Sequence, residues 1–174
     1  MLKHVYLVGF MASGKSTVGP LLAARLNRPF HDLDDLIEKE QQMTITEIFA
    51  LKGEAYFRKV ESRLLAQTAQ LPPSVIGLGG GTFCIDANRA VVAENGVSVW
   101  LRIPLELAQS RCARISTRPL ARDPEQFKAL FELRQPHYSH AQIWIDVERK
   151  SPELIAEEIM TKLKYGEKLN FPRL

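Results

Sequence analysis

Nine residues near the start of the chain, GFMASGKST (Gly9–Thr17), constrain its fold more than any other stretch. They end a β-branched and aromatic run, His4–Phe10, that reads as a buried strand, and they lead into helical spacing over Ser16–Asn27. A strand that turns through glycines into a helix opens a βαβ unit. Gly9, Gly14, Lys15 and Ser16 satisfy the pattern G-x-x-x-x-G-K-[ST]. Glycines let backbone N–H groups converge on an anion, and the helix start adds the positive end of its dipole. The amides of Ala12, Ser13, Gly14, Lys15, Ser16 and Thr17 are therefore expected to cradle phosphates. Lys15 is placed to bridge the β- and γ-phosphates, and the Ser16 hydroxyl to bind Mg²⁺. The plainer alternative is a glycine-rich turn with an exposed lysine. Placement between strand and helix favours nucleoside triphosphate.

The rest of the chain keeps alternating. Strands are predicted at Arg28–Asp34, Ser74–Gly81, Val97–Ile103 and Ala141–Val147. A helix begins near Asp34, and another follows Thr44, whose capping box is completed by Glu47. Gly53 interrupts that second helix, and its pattern resumes over Glu54–Gln70 until Pro72–Pro73. Further helices are read around Asp86–Glu94, Leu105–Arg114, Glu125–Tyr138 and Ser151–Lys164, the last capped by Ser151 with Pro152 at its first position. The tail from Tyr165 reads as irregular. Strands alternating with helices mean an α/β fold, a mostly parallel sheet with helices on both faces. At 174 residues the chain is expected to form one domain, 1–174.

Composition excludes several classes. With 45% apolar and 25% charged residues the chain reads as an ordinary soluble protein. A net charge of +3 is too small and dispersed to claim nucleic acid. No run approaches the ~18 apolar residues of a membrane span, and no signal-peptide core is present, so the expected location is the cytoplasm. Cys84 and Cys112 have no metal-like spacing and read as reduced thiols. His4, His31, His137 and His140 show neither metal spacing nor a triad partner. Trp100 and Trp144 lie within strands and read as core, while Phe57 is divided between core and substrate pocket.

In parallel α/β sheets ligands bind outside the C-terminal strand ends. Polar or glycine chemistry stands at four of these ends. Asp32 and Asp34, two apart in an extended segment, project to one side. Such a pair can hold Mg²⁺ through water and hydrogen-bond a substrate hydroxyl, or it can cap the helix that follows. Glu54, Arg58 and Glu61 share one helical face, either as a solvated stripe or as carboxylates fixing a guanidinium for a bidentate clamp. Gly79, Gly80 and Gly81 follow the third strand. Arg102, Arg111, Arg114, Arg118 and Arg122 follow the fourth, as an RNA-binding surface or as a lid neutralising phosphoryl charge. The absence of interleaved aromatics favours the lid.

GFMASGKST, FHDLDDLIE (Phe30–Glu38), IFALKGEAYFRKVE (Ile48–Glu61), GLGGGTF (Gly77–Phe83), TRPL (Thr117–Leu120) and LRQPHYSHA (Leu133–Ala141) resemble the shikimate kinases in order and spacing. The resemblance covers about residues 3–160. It implies the nucleoside-monophosphate-kinase-like fold, a five-stranded parallel sheet in order 2-3-1-4-5. It also implies transfer of the ATP γ-phosphoryl to the 3-hydroxyl of shikimate, on the route to chorismate and the aromatic amino acids. By that likeness Asp34 binds the shikimate hydroxyls and accepts the proton, and Asp32 holds Mg²⁺ through water. Arg58 and Arg134 grip the carboxylate, and Gly79–Gly81 approach the ring. Arg118 is the lid arginine, in a lid at about 112–124, and a helical substrate region spans about 33–61. Arg111 stands where an adenine-stacking arginine is expected, with Arg114 as the alternative register, and Lys150 is the basic residue assigned near the base. Ala121 replaces the second leucine of the common R-P-L-L, and Leu78 stands where small or hydroxyl residues are common. ATP and shikimate are the expected partners of a monomer that binds no nucleic acid and no membrane. A gluconate kinase is the nearest rival, since two arginines suit any carboxylated polyol. A nucleotide-dependent RNA-binding protein is the rival from another class.

Overall fold

The computed structural model of the protein describes residues 4–114 and 123–168. Five parallel strands form one sheet: β1 (His4–Val8), β2 (Phe30–Asp32), β3 (Val75–Gly77), β4 (Gly96–Arg102) and β5 (Ile143–Asp146). Their order is β2-β3-β1-β4-β5, as expected. The register pairs Val5 with Val75, Leu7 with Val99, Asp32 with Gly77 and Trp100 with Trp144. Among the described residues seven α-helices flank the sheet on both faces: α1 (Lys15–Leu26), α2 (Leu33–Gln41), α3 (Ile45–Gln67), α4 (Asp86–Asn95), α5 (Leu105–Arg114), α6 (Pro124–Tyr138) and α7 (Pro152–Lys168).

Strand burial follows position in the sheet. Every residue of the central β1 is buried, so its sequence is continuously apolar. The edge strand β5 alternates, with Ile143 and Ile145 inward and Trp144 and Asp146 outward. Trp144 is 43% exposed, which corrects its reading as core: an edge strand needs only one apolar face. Trp100, one strand in, is buried as expected; Phe57, which the sequence left divided between core and pocket, is buried too. The Lys162 ammonium donates to the Trp144 carbonyl at 2.8 Å, covering part of this open edge.

Two predicted strands end early, and both ends lead to function. Asp32 closes β2 because its carboxylate caps α2, so Asp34 is helical rather than extended. β3 stops at Gly77, and the glycines after it lead into a short 3-10 turn, Thr82–Cys84. Thr44 and Glu47 form the expected capping box, each accepting from the other's backbone N–H. Gly53 (φ 80°, ψ 169°) breaks the helical path inside α3, where the interruption was predicted. Ser151 caps α7 through the Leu154 N–H at 3.3 Å. That helix continues to Lys168 instead of ending at Lys164. No proline follows until Pro172, and Gly166 alone costs about 1 kcal/mol, too little to stop an amphipathic helix.

Candidate active site

The phosphate loop is shaped by backbone conformations that glycine favours. Gly9 has φ 146°, and a Cβ there would lie 2.8 Å from the Leu101 carbonyl. Gly14 (φ 100°) forms the N-cap of α1 and offers no side-chain cap, which leaves the first helical N–H groups to an anion. Ala12 also takes the left-handed region (φ 61°), and Arg111 donates to its carbonyl at 3.0 Å. The Lys15 ammonium lies back over the loop, donating to the carbonyls of Gly9 (2.8 Å) and Phe10 (3.1 Å).

Asp32 caps the following helix, as the second reading of the pair expected, and has an oxygen left over for the phosphate loop. Its Oδ1 accepts from the Asp34 N–H at 3.0 Å, and its Oδ2 accepts from the Ser16 hydroxyl at 3.1 Å. One oxygen caps a helix while the other meets the phosphate loop. A hydroxyl beside a carboxylate is a hard-oxygen pair suited to Mg²⁺. No cluster of three or more His, Cys, Asp or Glu side chains forms a metal cage among the described residues. The fit is therefore to a cation that takes its other oxygens from phosphate and water.

Across the cleft, three glycines admit four charged groups. A Cβ on Gly79 would lie 2.9 Å from Asp34 Oδ1 and 3.0 Å from Glu61 Oε1. On Gly80 it would lie 2.8 Å from Arg134 Nη1, and on Gly81 2.6 Å from Arg58 Nη2. Side chains from α2, α3 and α6 thus meet one short turn of backbone, and any larger residue would push them apart. Arg58 is no solvated stripe. Its Nη1 donates to the fully buried Glu61 at 2.8 Å, and its Nη2 donates to the exposed Glu54 at 3.3 Å. The other Glu61 oxygen accepts from the buried Thr82 hydroxyl at 2.6 Å. Burial opposes the charge of Arg58, but Glu61 and Glu54 outweigh it and hold the guanidinium above its ordinary pKa.

A cleft of about 640 Å³ joins the two halves. It runs from Ala12–Thr17 past Asp32 and Asp34 to Gly79, Gly80 and Arg134, and on its other side reaches Arg111, Arg114 and Lys150. Gly81 and Arg58 do not line it, but Gly81 adjoins Gly80 and lies against the Arg58 guanidinium. Both candidate adenine arginines line it. Lys150 is ion-paired with Glu158, which also pairs with Lys162. Arg102, by contrast, is structural. It pairs with Asp146 at 2.8 Å and lies 5.6 Å from the ring centroids of Trp100 and Trp144. Arg118 and Arg122, with most of the expected lid, lie outside the described residues.

A model of the shikimate kinase family matches residues 11–164. The chain belongs to the shikimate kinase family. A shikimate kinase of a Sulfurihydrogenibium species is 43% identical over 164 residues, which cover 94% of this chain and 99% of that relative. The solved shikimate kinase of Acinetobacter baumannii, in complex with shikimate, superposes with a TM-score of 0.90 at 32% identity, covering 96% of each chain. That of Aquifex aeolicus does so with a TM-score of 0.86 at 40% identity, covering 97% of this chain and 99% of that one.

Family membership leaves visible what the sequence did not reveal. Thr82 carried no signal, because a lone hydroxyl gains meaning only from the carboxylate it meets. Phe10 was read as a strand residue, yet its ring sits 5.8 Å from the Arg134 guanidinium and edge-on to Phe127 and Phe131. It ties the start of the phosphate loop to α6. Tyr138 stood in the sequence only within LRQPHYSHA, at the end of a predicted helix.

Proposed function

We propose that this chain is an ATP-dependent kinase that phosphorylates the 3-hydroxyl of shikimate, giving shikimate 3-phosphate and ADP. The observation that carries the proposal is that Asp34, Gly79, Gly80 and Arg134 line the same cleft as the phosphate loop, with Arg58 against the adjoining Gly81. Two guanidinium groups suit a ring carboxylate, and a carboxylate beside open backbone suits ring hydroxyls. ATP lies along Ala12–Thr17, its β- and γ-phosphates met by Lys15, with the base towards Arg111, Arg114 and Lys150. Lys15 must leave the Gly9 and Phe10 carbonyls to do so, exchanging neutral acceptors for a charged one.

In the reaction the shikimate oxygen attacks the γ-phosphorus, the bond to the bridging β-oxygen breaks, and Asp34 accepts the hydroxyl proton. Arg58 and Arg134 hold the acid so that this oxygen is in line, and the charge leaving with ADP is met by Lys15 and by Arg118 of the lid. Ser16 and Asp32, the latter through water, would hold Mg²⁺, which would further neutralise phosphate charge. Residues 33–61 form the substrate-binding region, 112–124 the lid, and the whole chain one catalytic unit. We take the monomer as the working form. No described helix is long and apolar enough to cross a membrane, which accords with work in the cytoplasm.

The RNA-binding alternative loses ground because Arg102 and Arg111 are engaged within the molecule. Coupled ADP release should be measured with shikimate, gluconate and nucleoside monophosphates in turn. Shikimate should give the highest kcat/KM by at least tenfold; equal or faster turnover of gluconate would overturn the assignment.

A further inference from the structure

The fully buried hydroxyl of Tyr138 donates to the Gly80 carbonyl at 2.5 Å. It sits one helical turn after Arg134, which lies within interaction range of the same hydroxyl. A Cβ on Gly80 would lie 2.8 Å from Arg134 Nη1 and 3.5 Å from Tyr138 Oη. Guanidinium, hydroxyl and peptide therefore meet at one point.

Hydrogen-bond chemistry fixes the order of this contact. A guanidinium can only donate and a carbonyl can only accept, so a hydroxyl is the kind of group that faces both. Burial makes the phenol hold its proton more firmly than usual, so it remains a donor towards Gly80. Because a trans peptide is planar, fixing the Gly80 carbonyl also turns the Gly81 N–H away from Tyr138. Gly81 is the glycine that lies against Arg58. The Tyr138 ring is anchored independently, its centroid 5.9 Å from that of Trp100 on β4.

The geometry points to Tyr138 as a positioning residue for the acid substrate, joining Arg134 on α6 to the Gly80–Gly81 peptide so that both sides of the carboxylate pocket keep one spacing. It does not touch the reacting atoms, and the cleft is lined by Gly80 and Arg134 in front of it. Its effect is therefore on binding of the acid, not on the phosphate loop.

This inference rests on the shikimate kinase reading, and Tyr138→Phe tests it separately. The substitution keeps the ring against Trp100 and removes only Oη. Loss of one buried hydrogen bond at the pocket should raise the KM for shikimate about tenfold, with the KM for ATP unchanged within about twofold. In a cycle with Arg134→Ala the two losses should be less than additive, since both act on one carboxylate site. An unchanged KM for shikimate, an equal rise in both KM values, or additive losses would overturn the assignment. So would failure of Tyr138→Phe to fold, because the hydroxyl would then hold the structure and not the pocket. If the wild-type enzyme itself did not phosphorylate shikimate, the functional reading would fall instead.

Discussion

Glu61→Gln should loosen Arg58 by an amount that can be worked out beforehand. The Glu61 side chain has no exposed surface, and its oxygens accept from Thr82 at 2.6 Å and from Arg58 at 2.8 Å. Glutamine keeps the volume but replaces one oxygen with a donor. Arg58 can only donate, so the amide must turn its carbonyl to Arg58 and its NH₂ to Thr82, whose hydroxyl must reverse and accept. Both contacts survive without the carboxylate charge: Arg58 donates to a neutral amide oxygen, so the ion pair is lost, and the Thr82 contact becomes fully neutral. A hydrogen bond to a charged group contributes about 1.5–3 kcal/mol and a neutral one about 0.5–1.5 kcal/mol, so the net loss is about 1–2 kcal/mol. That is well below the cost of removing a buried partner outright, about 3–5 kcal/mol. For a chain of this length it lowers Tm by about 2–8 °C. Glu54→Gln is the internal control: Glu54 is 66% exposed and its contact with Arg58 is 3.3 Å. Water screens it, and Tm should stay within about 2 °C. Differential scanning fluorimetry reads both variants, and steady-state kinetics should show the KM for shikimate rising only in Glu61→Gln. Equal effects from the two substitutions would refute the reasoning, because burial would then not decide which carboxylate holds Arg58.

Two further outcomes follow from the same physics. Lys15→Ala should lower kcat by at least about a hundredfold while the circular dichroism spectrum stays unchanged, because in the proposed mechanism the lysine meets developing phosphate charge, and it is not part of the buried apolar core; near-normal turnover would contradict the phosphate-loop assignment. Burial raises the pKa of Cys84, Tyr6 and Tyr138 above their ordinary 9.0, 10.0 and 10.0. The unfolded chain releases these protons first, so the folded state binds more of them at high pH and stability falls as pH rises past about 9. Urea midpoints at pH 8 and pH 10.5 should show the decline, and Tyr6→Phe should reduce it; a flat profile would argue against protonated burial.

Much of the site was readable because it is local or periodic. The phosphate loop lies in nine consecutive residues, and the capping box and the face shared by Glu54, Arg58 and Glu61 need only helical spacing. Where the reading failed, the missing information was environmental. Trp144 has a strand-core composition, but only its place on the sheet edge leaves it exposed. Arg102 was counted with the arginine-rich stretch, but it pairs with Asp146 beside two tryptophans. Asp32 and Asp34 do lie together, yet by a helix cap and not by strand alternation.

The amino-acid order alone determined that strands and helices alternate, where the triphosphate loop sits, and which side chains bear charge near the strand ends. Those properties depend on neighbours within a few positions, whose preferences and spacing act before the chain is compact. Tertiary structure alone decided that Asp34, Arg58 and Arg134, a hundred residues apart at the extremes, come so close to three glycines that an added Cβ would lie only 2.6–2.9 Å from them. It also decided that Tyr138 stands behind them against Gly80. Contacts of that kind come from packing helices against a sheet, where distance along the chain carries no information about distance in space.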